Sequence, residues 1–203
     1  MKFEDRIPTM LSLGVDPSAL PQLKSYVDLL WQANNELNLI SRKMTFSDLL
    51  DNHLIDCLLA YGRLPEKLET AADLGSGGGM PGVVYAILRS QTRYQLYEKS
   101  PKKREFLERC RELAPNLEIH GDIPRDLPGV ELVTARAFKP IQEILDFTRD
   151  YCRRGGKYFL LKGRRERIDE ELALAQRKFK DLHPQIEVLN SPLLSVERHL
   201  VLL

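Results

Sequence analysis

Cysteine is scarce and scattered in this chain. The three present, Cys57, Cys110 and Cys152, lie far apart, each in a helical pattern, and none has a Cys or His neighbour at metal-ligand spacing. No metal site is expected, and the economical reading is buried free thiols in a reducing compartment. Long apolar runs are missing too. Nothing approaches the roughly 20 residues of a membrane span, and the opening Met-Lys-Phe-Glu-Asp-Arg lacks the apolar core of a secretion signal. A soluble, cytoplasmic protein with no membrane partner is expected. Net charge is almost absent, +1 from 30 basic and 29 acidic residues, so the whole chain is no indiscriminate binder of polyanions. There is no Gly-Lys-Ser/Thr, which excludes a P-loop. Repeats, low-complexity segments and exposed apolar heptads are also lacking, and the last absence points to a monomer.

What is present is a core-forming composition, 43% apolar over 203 residues, enough for one globular domain with some extra. Residues 1–65 read as a helical extension packed on the core. One helix over 18–36 places Leu20, Leu23, Val27, Leu30 and Trp31 along one face, and another begins at Thr45 and carries Leu49, Leu50, Leu54, Ile55 and Leu58. Pro65 marks the boundary, and a second unit spans 66–203. There the pattern alternates: strand 69–74, helix 81–90, strand 93–98, helix 101–114, strand 117–120, strand 130–135, helix 140–152, strand 156–161 and helix 166–180. Strands 186–189 and 198–203 close the chain. Alternation of this kind indicates α/β architecture around a parallel, doubly wound sheet. The last two strands are joined only by 190–196, too short for a parallel return, so they pair antiparallel.

The most informative stretch is Ala72-Asp73-Leu74-Gly75-Ser76-Gly77-Gly78-Gly79-Met80-Pro81-Gly82, between a strand and a helix. Glycines here let the backbone approach a ligand, and the following helix offers free N–H groups. Gly77-x-Gly79-x-x-Gly82 fits the dinucleotide fingerprint literally. Asp73, however, stands at the strand end, where a carboxylate repels a pyrophosphate and suits a cationic ligand. Asp73-x-Gly75-x-Gly77-x-Gly79 resembles the cofactor turn of class I methyltransferases, whose S-adenosylmethionine carries an ammonium and a sulfonium but no phosphate. A dinucleotide turn, or a tight turn with no ligand, stays open at this point. Glu98, at the end of the second strand and about 20 residues beyond the turn, is at the offset of a ribose-hydroxyl acceptor. Ser100 and Pro101 then open a helix as N-cap and first residue. At the third strand end, Asp122 is placed to accept from an adenine amino group, with Ile123 packing on the ring. Exposed-loop readings of Glu98 and Asp122 remain alternatives.

Two basic runs stand out on this neutral chain: six basic and two acidic residues over 99–111, and eight and two over 149–167. Charge alone weighs a solvated face and a polyanion surface equally. Further motifs carry a closer resemblance. Trp31 with Leu37-Asn38-Leu39-Ile40, then Asn52-His53-Leu54-Ile55-Asp56-Cys57-Leu58, the turn closed by Pro81-Gly82, Thr134-Ala135-Arg136-Ala137-Phe138, Leu161-Lys162-Gly163 and Glu197-Arg198-His199-Leu200-Val201 follow in order. Together they resemble the bacterial small-subunit ribosomal RNA guanine-N7 methyltransferases, known as RsmG or GidB, from about Trp31 onward. Departures are Glu98 for a common Asp, Asn52 for a common Arg, a short 121–130 loop, and the want of a basic tail beyond Leu203.

The resemblance implies a class I S-adenosylmethionine-dependent methyltransferase fold, a Rossmann-like seven-stranded sheet. It also implies methyl transfer to guanine N7 in the 530 loop of 16S ribosomal RNA, as naked RNA or a small-subunit assembly intermediate. Cofactor contacts are expected from Asp73, Gly75, Gly77, Gly79, Met80, Glu98, Asp122, Ile123 and Arg136. Guanine N7 has a free lone pair and needs no general base, and none is obvious. His53 and His120 read more readily as structural. The motifs of exocyclic-amine and cytosine-C5 enzymes are absent. Arg136 and Lys162 are expected at the mouth as the catalytic pair, unless ion pairs with Glu131, Glu143 or Glu166 occupy them. Arg153, Arg154, Lys162, Arg164, Arg165 and Arg167 are expected to grip RNA phosphates beside the pocket. A small-molecule methyltransferase, and an RNA-binding module without catalysis, are the competing readings.

Overall fold

Helix α1 (Ile7–Ser12) and α2 (Leu20–Leu37) open the chain in this computed structural model, which describes residues 2–41, 43–193 and 196–203. Leu23, Val27 and Leu30 recur at helical spacing on α2 and are fully buried. Burial of each such side chain stabilises the fold by about 2 kcal/mol. Asn38 ends α2 in the left-handed conformation, φ 50°. Thr45 starts α3 (Phe46–Leu49) with a capping box: its hydroxyl accepts from Asp48 N–H at 3.1 Å, and the Asp48 carboxylate accepts from Thr45 N–H at 2.9 Å. The helix continues through a π-helical stretch, Leu50–Ile55, into α4 (Asp56–Tyr61).

From there strand and helix alternate: β1 (Thr70–Leu74), α5 (Gly82–Leu88), β2 (Arg93–Tyr97), α6 (Pro101–Cys110), β3 (Leu117–His120) and β4 (Leu132–Arg136). Then come α7 (Ile141–Phe147), α8 (Arg149–Arg153), β5 (Lys157–Lys162), α9 (Arg165–Lys178), β6 (Gln185–Val188) and β7 (His199–Leu202). The strands form one sheet in the order β3-β2-β1-β4-β5-β7-β6. All pairings are parallel except those of β7, which runs antiparallel to both β5 and β6. This is the class I methyltransferase arrangement. β1 is buried along its whole length, as a central strand covered on both faces must be.

One apolar cluster joins the N-terminal helices to α5, α6 and one face of the sheet, through Leu23, Leu30, Leu54, Val83, Tyr85 and Phe159. The other, around Ile141, Leu145, Ile168 and Leu172, fixes α7 and α9 to the opposite face. The expected helix over 140–152 is broken. Thr148 leaves helical geometry at φ −109°, ψ 37°, and its side chain bonds to Ile144 O at 2.8 Å and to the Tyr158 hydroxyl at 2.7 Å. Ser100 is the N-cap of α6, but its side chain makes no capping bond.

Candidate active site

The order of the sheet reverses direction at β1, between β2 and β4, and the crevice at such a switch point is where an open α/β sheet binds its ligand. A cavity of about 720 Å³ opens there, at the carboxyl ends of the strands. Its floor is the glycine loop after β1. Gly75 and Ser76 N–H both donate to Tyr97 O, at 2.8 and 3.1 Å, which ties the loop to the end of β2. Gly75 takes φ +67°, and a Cβ there would overlap the Phe138 ring, so both backbone and neighbour demand glycine. The Tyr26 hydroxyl of α2 donates to Gly78 O at 2.7 Å.

Glu98 lies on the cavity wall with its carboxylate already oriented. Oε2 accepts from Gly77 N–H at 2.9 Å and Oε1 from Ser100 N–H at 2.8 Å. A carboxylate offers about four lone-pair positions, so two remain for hydroxyl donors of a ligand. Gly75, Gly77, Met80, Asp122, Ile123 and Arg136 also line the cavity, where sequence reasoning puts them. Asp73 and Gly79 do not. Asp73 is 1% exposed and sits beneath the loop: Oδ1 accepts from the Thr134 hydroxyl at 2.8 Å, while Oδ2 has no partner among the described residues. Burial pushes its carboxyl up to about 6, and the Thr134 bond, the nearby Ser76 hydroxyl and Gly82 N–H, and the charge of Arg136 offset only part of that. Its influence on a ligand is therefore through charge and loop shape rather than contact. Gly79 N–H is turned inward onto Ser76 O.

Arg136, at the end of β4, is more enclosed than a residue at a mouth. Its Nη1 donates to Asp56 Oδ2 at 3.1 Å and its Nη2 to His53 Nδ1 at 2.6 Å. Asp56 also takes Arg198 Nε at 2.5 Å, so one buried carboxylate clamps two guanidinium groups. The ion-pair partner is thus Asp56, not Glu131, Glu143 or Glu166. An arginine has only donors, so His53 Nδ1 must accept and its proton sits on Nε2. Burial, with the charges of Arg136 and Arg198, lowers the His53 pKa to about 4.

The expected arginine rim divides in two. β5 is about 16 Å long at about 3.3 Å per residue, and it separates Arg153 and Arg154 at its start from Lys162 and Arg164 at its finish. Arg153 and Arg154 are therefore on the far side of the sheet from the cavity; Arg153 pairs with Asp150, and Arg154 with Asp126 O. Lys162 is likewise absent from the main cavity. Its Nζ donates to Glu171 at 2.7 Å and to Lys139 O at 2.9 Å, on the wall of a neighbouring hollow of about 360 Å³ that also holds Arg167 and Arg198. Arg165 pairs with Asp169, and Arg167 with Glu170 and Glu171. Besides Arg136, the cations that line the main cavity are Lys99, Lys103 and Lys139, which belong to a run read as basic but not assigned to the site, or to no run at all. Sequence reasoning also missed Leu30, Leu39 and Ile40, which close one wall. For Leu39 and Ile40 the signal lay in the Leu37-Asn38-Leu39-Ile40 motif, while Leu30 read only as a core position of its helix.

Among solved structures, the chain resembles a putative O-methyltransferase from Klebsiella pneumoniae at TM-score 0.57 and 14% identity, covering 87% of this chain and 88% of that one. It also resembles a human methyltransferase 10 domain containing protein at TM-score 0.54 and 11% identity, over 87% and 93%. These likenesses show the fold alone. Sequence relatives are nearer. "Ribosomal RNA small subunit methyltransferase G 1" of Bdellovibrio bacteriovorus is 60% identical over 201 residues, 99% of this chain and 98% of that protein. "Ribosomal RNA small subunit methyltransferase G" of Borrelia garinii subsp. bavariensis is 34% identical over 192 residues, 91% and 89%. The family model for GidB, rRNA small subunit methyltransferase G, matches residues 19–201, and with a full-length relative at that identity the chain belongs to this methyltransferase family.

Proposed function

We propose that this protein transfers a methyl group from S-adenosylmethionine to N7 of a guanine in 16S ribosomal RNA, in the 530 loop. The observation that carries the reading is the pre-oriented Glu98 carboxylate beside the glycine loop, above a buried Asp73 oxygen that has no partner among the described residues. These residues fit the cofactor. Glu98 has capacity for two ribose hydroxyls, Asp122 and Ile123 stand where an adenine would rest, and the negative charge of Asp73 below the loop favours a cation above it. Bound there, S-adenosylmethionine supplies an electrophilic methyl group on a sulfonium.

The chain's own contribution is orientation. Guanine N7 needs no deprotonation, and His53 and Glu98 on the cavity wall are both already engaged. His53 has its Nδ1 occupied by Arg136, and Glu98 holds two backbone amides. Holding nucleophile and methyl carbon in line can lower the barrier by roughly 7–11 kcal/mol. The guanine must leave its stack to enter, and Lys99, Lys103 and Lys139 on the cavity wall suit the phosphates around it. The protein acts on naked RNA or an assembly intermediate, as a cytoplasmic monomer. The test is transfer of tritiated methyl groups to 16S RNA, with the site mapped by N7-methylguanine cleavage. Transfer to metabolites and not to RNA would overturn the reading.

A further inference from the structure

His53 reads as a structural histidine in the sequence, and the reaction needs no base from it. Its surroundings nevertheless prepare it for one task. It stands on the π-helical stretch Leu50–Ile55, a geometry often found at functional sites. The wider turn presents the Asn52 carbonyl, the His53 ring and, from the next turn, the Asp56 carboxylate to a single arginine. Arg136 Nη1 reaches Asn52 O at 3.4 Å and Asp56 at 3.1 Å, while Nη2 holds His53 Nδ1 at 2.6 Å. This clamp fixes both ring orientation and tautomer. The remaining ring nitrogen, Nε2, carries the proton. It takes no hydrogen bond among the described residues and is not sealed from solvent, and His53 lines the main cavity.

Resting on the guanine-N7 reading, we propose that His53 is the base-specificity residue, and that its Nε2–H donates to O6 of the target guanine. O6 and N7 share one edge of the base, so a donor on O6 sets N7 in place beside it. Adenine presents an amino group at that position, and two donors would face each other. Neutrality of the donor matters as well. N7 gains positive charge as it is methylated, and a cation against that edge would oppose the reaction. Arg136 also lines the cavity, but its guanidinium is engaged by Asp56 and by the Nδ1 side of the ring, so the free donor of the pair is the uncharged imidazole Nε2–H.

The test uses the full chain and a 16S RNA fragment carrying either guanosine or 2-aminopurine, which keeps N7 but lacks O6, at the target position. His53→Ala should lower kcat/KM on guanosine by about tenfold or more and leave the slow reaction on 2-aminopurine within about twofold. Comparing variants on each base removes the intrinsic difference in N7 reactivity. His53→Gln, which retains a donor, should recover part of the loss on guanosine only. S-adenosylmethionine affinity by calorimetry should be unchanged in both variants. Equal losses on the two bases, or a lost cofactor affinity, would overturn the proposal and make His53 a structural or cofactor residue. If His53→Ala does not fold, His53→Gln and His53→Asn carry the same two-base comparison. A wild-type protein that methylates neither RNA refutes the functional reading itself, and this inference with it.

Discussion

Asp73 is a carboxylate whose charge the fold opposes, and that makes it measurable. Its carboxyl is pushed from an ordinary 3.8 to about 6, chiefly by burial. Each pKa unit is worth about 1.4 kcal/mol, so keeping the ionised group in place costs the folded state about 3 kcal/mol at neutral pH. The folded value lies above the unfolded one. The favourable contribution of the protonated acid is therefore whole below the unfolded value of 3.8 and is lost as pH rises through about 6. Asp73→Asn removes this titration while keeping the shape and an acceptor for the Thr134 hydroxyl, which stands 2.8 Å from Oδ1. Urea unfolding of both proteins between about pH 4.5 and pH 8 isolates the group, because all other titrations cancel in the difference. Wild type should lose about 2 kcal/mol relative to the variant across that range. A bound cation above the loop should offset the cost, so wild-type affinity for S-adenosylmethionine should rise over the same interval while that of Asp73→Asn stays flat. Parallel stability curves would refute the account, because they would mean that solvent reaches the carboxylate.

Three other outcomes follow from the site. Glu98→Ala removes the acceptor of Gly77 and Ser100 N–H together with the ribose acceptor, and should weaken S-adenosylmethionine binding by calorimetry by at least about tenfold, a loss of about 1.4 kcal/mol or more. Asp56→Ala strands Arg136 and Arg198 and should destabilise the fold by about 3–5 kcal/mol in urea unfolding. Lys99→Ala with Lys103→Ala should lower RNA affinity and flatten its salt dependence, by a slope of about 0.7 for each phosphate no longer neutralised, whereas Arg153→Ala with Arg154→Ala should leave both unchanged.

The split of the basic run shows how far linear reading carries. A strand over 156–161 is evident in the sequence, and the observed Lys157–Lys162 agrees to a residue. A strand necessarily carries its two ends to opposite sides of the sheet, so the separation of Arg153 and Arg154 from Lys162 is implicit in the elements themselves. Neighbours in sequence are not neighbours in space when a strand lies between them. The break at Thr148 is of another kind. It depends on a hydroxyl meeting Tyr158 across the core, which no local pattern encodes. Part of the cavity wall is legible because its residues follow fixed offsets from strand ends: Glu98, Asp122 and Ile123 all line it. The Arg136 cluster is not, since His53 and Asp56 reach Arg136 from about 80 residues away, a pairing set only by how the N-terminal helices seat on the sheet.

That seating gives two buried acids, Asp56 and Asp73, opposite duties. Asp56 is buried with two arginines around it, so its charge is satisfied and its effect is geometric: it aims Arg136, which aims His53. Asp73 is buried with one oxygen unpaired, so its geometry is satisfied by the loop and its effect is electrostatic. The first arrangement holds the charge of Arg136 against Asp56, and the second supplies negative charge beneath the methyl donor. A methyl transfer that starts from a sulfonium and ends with a cationic base needs both. Exchanging the roles would fail: an unpaired Asp56 would pull Arg136 from the histidine, and an arginine paired to Asp73 would cancel the field that favours the cofactor. The cavity therefore discriminates charge partly through carboxylates it does not display, since Asp56 and Asp73 are hidden from solvent while Glu98 and Asp122 stand on its wall.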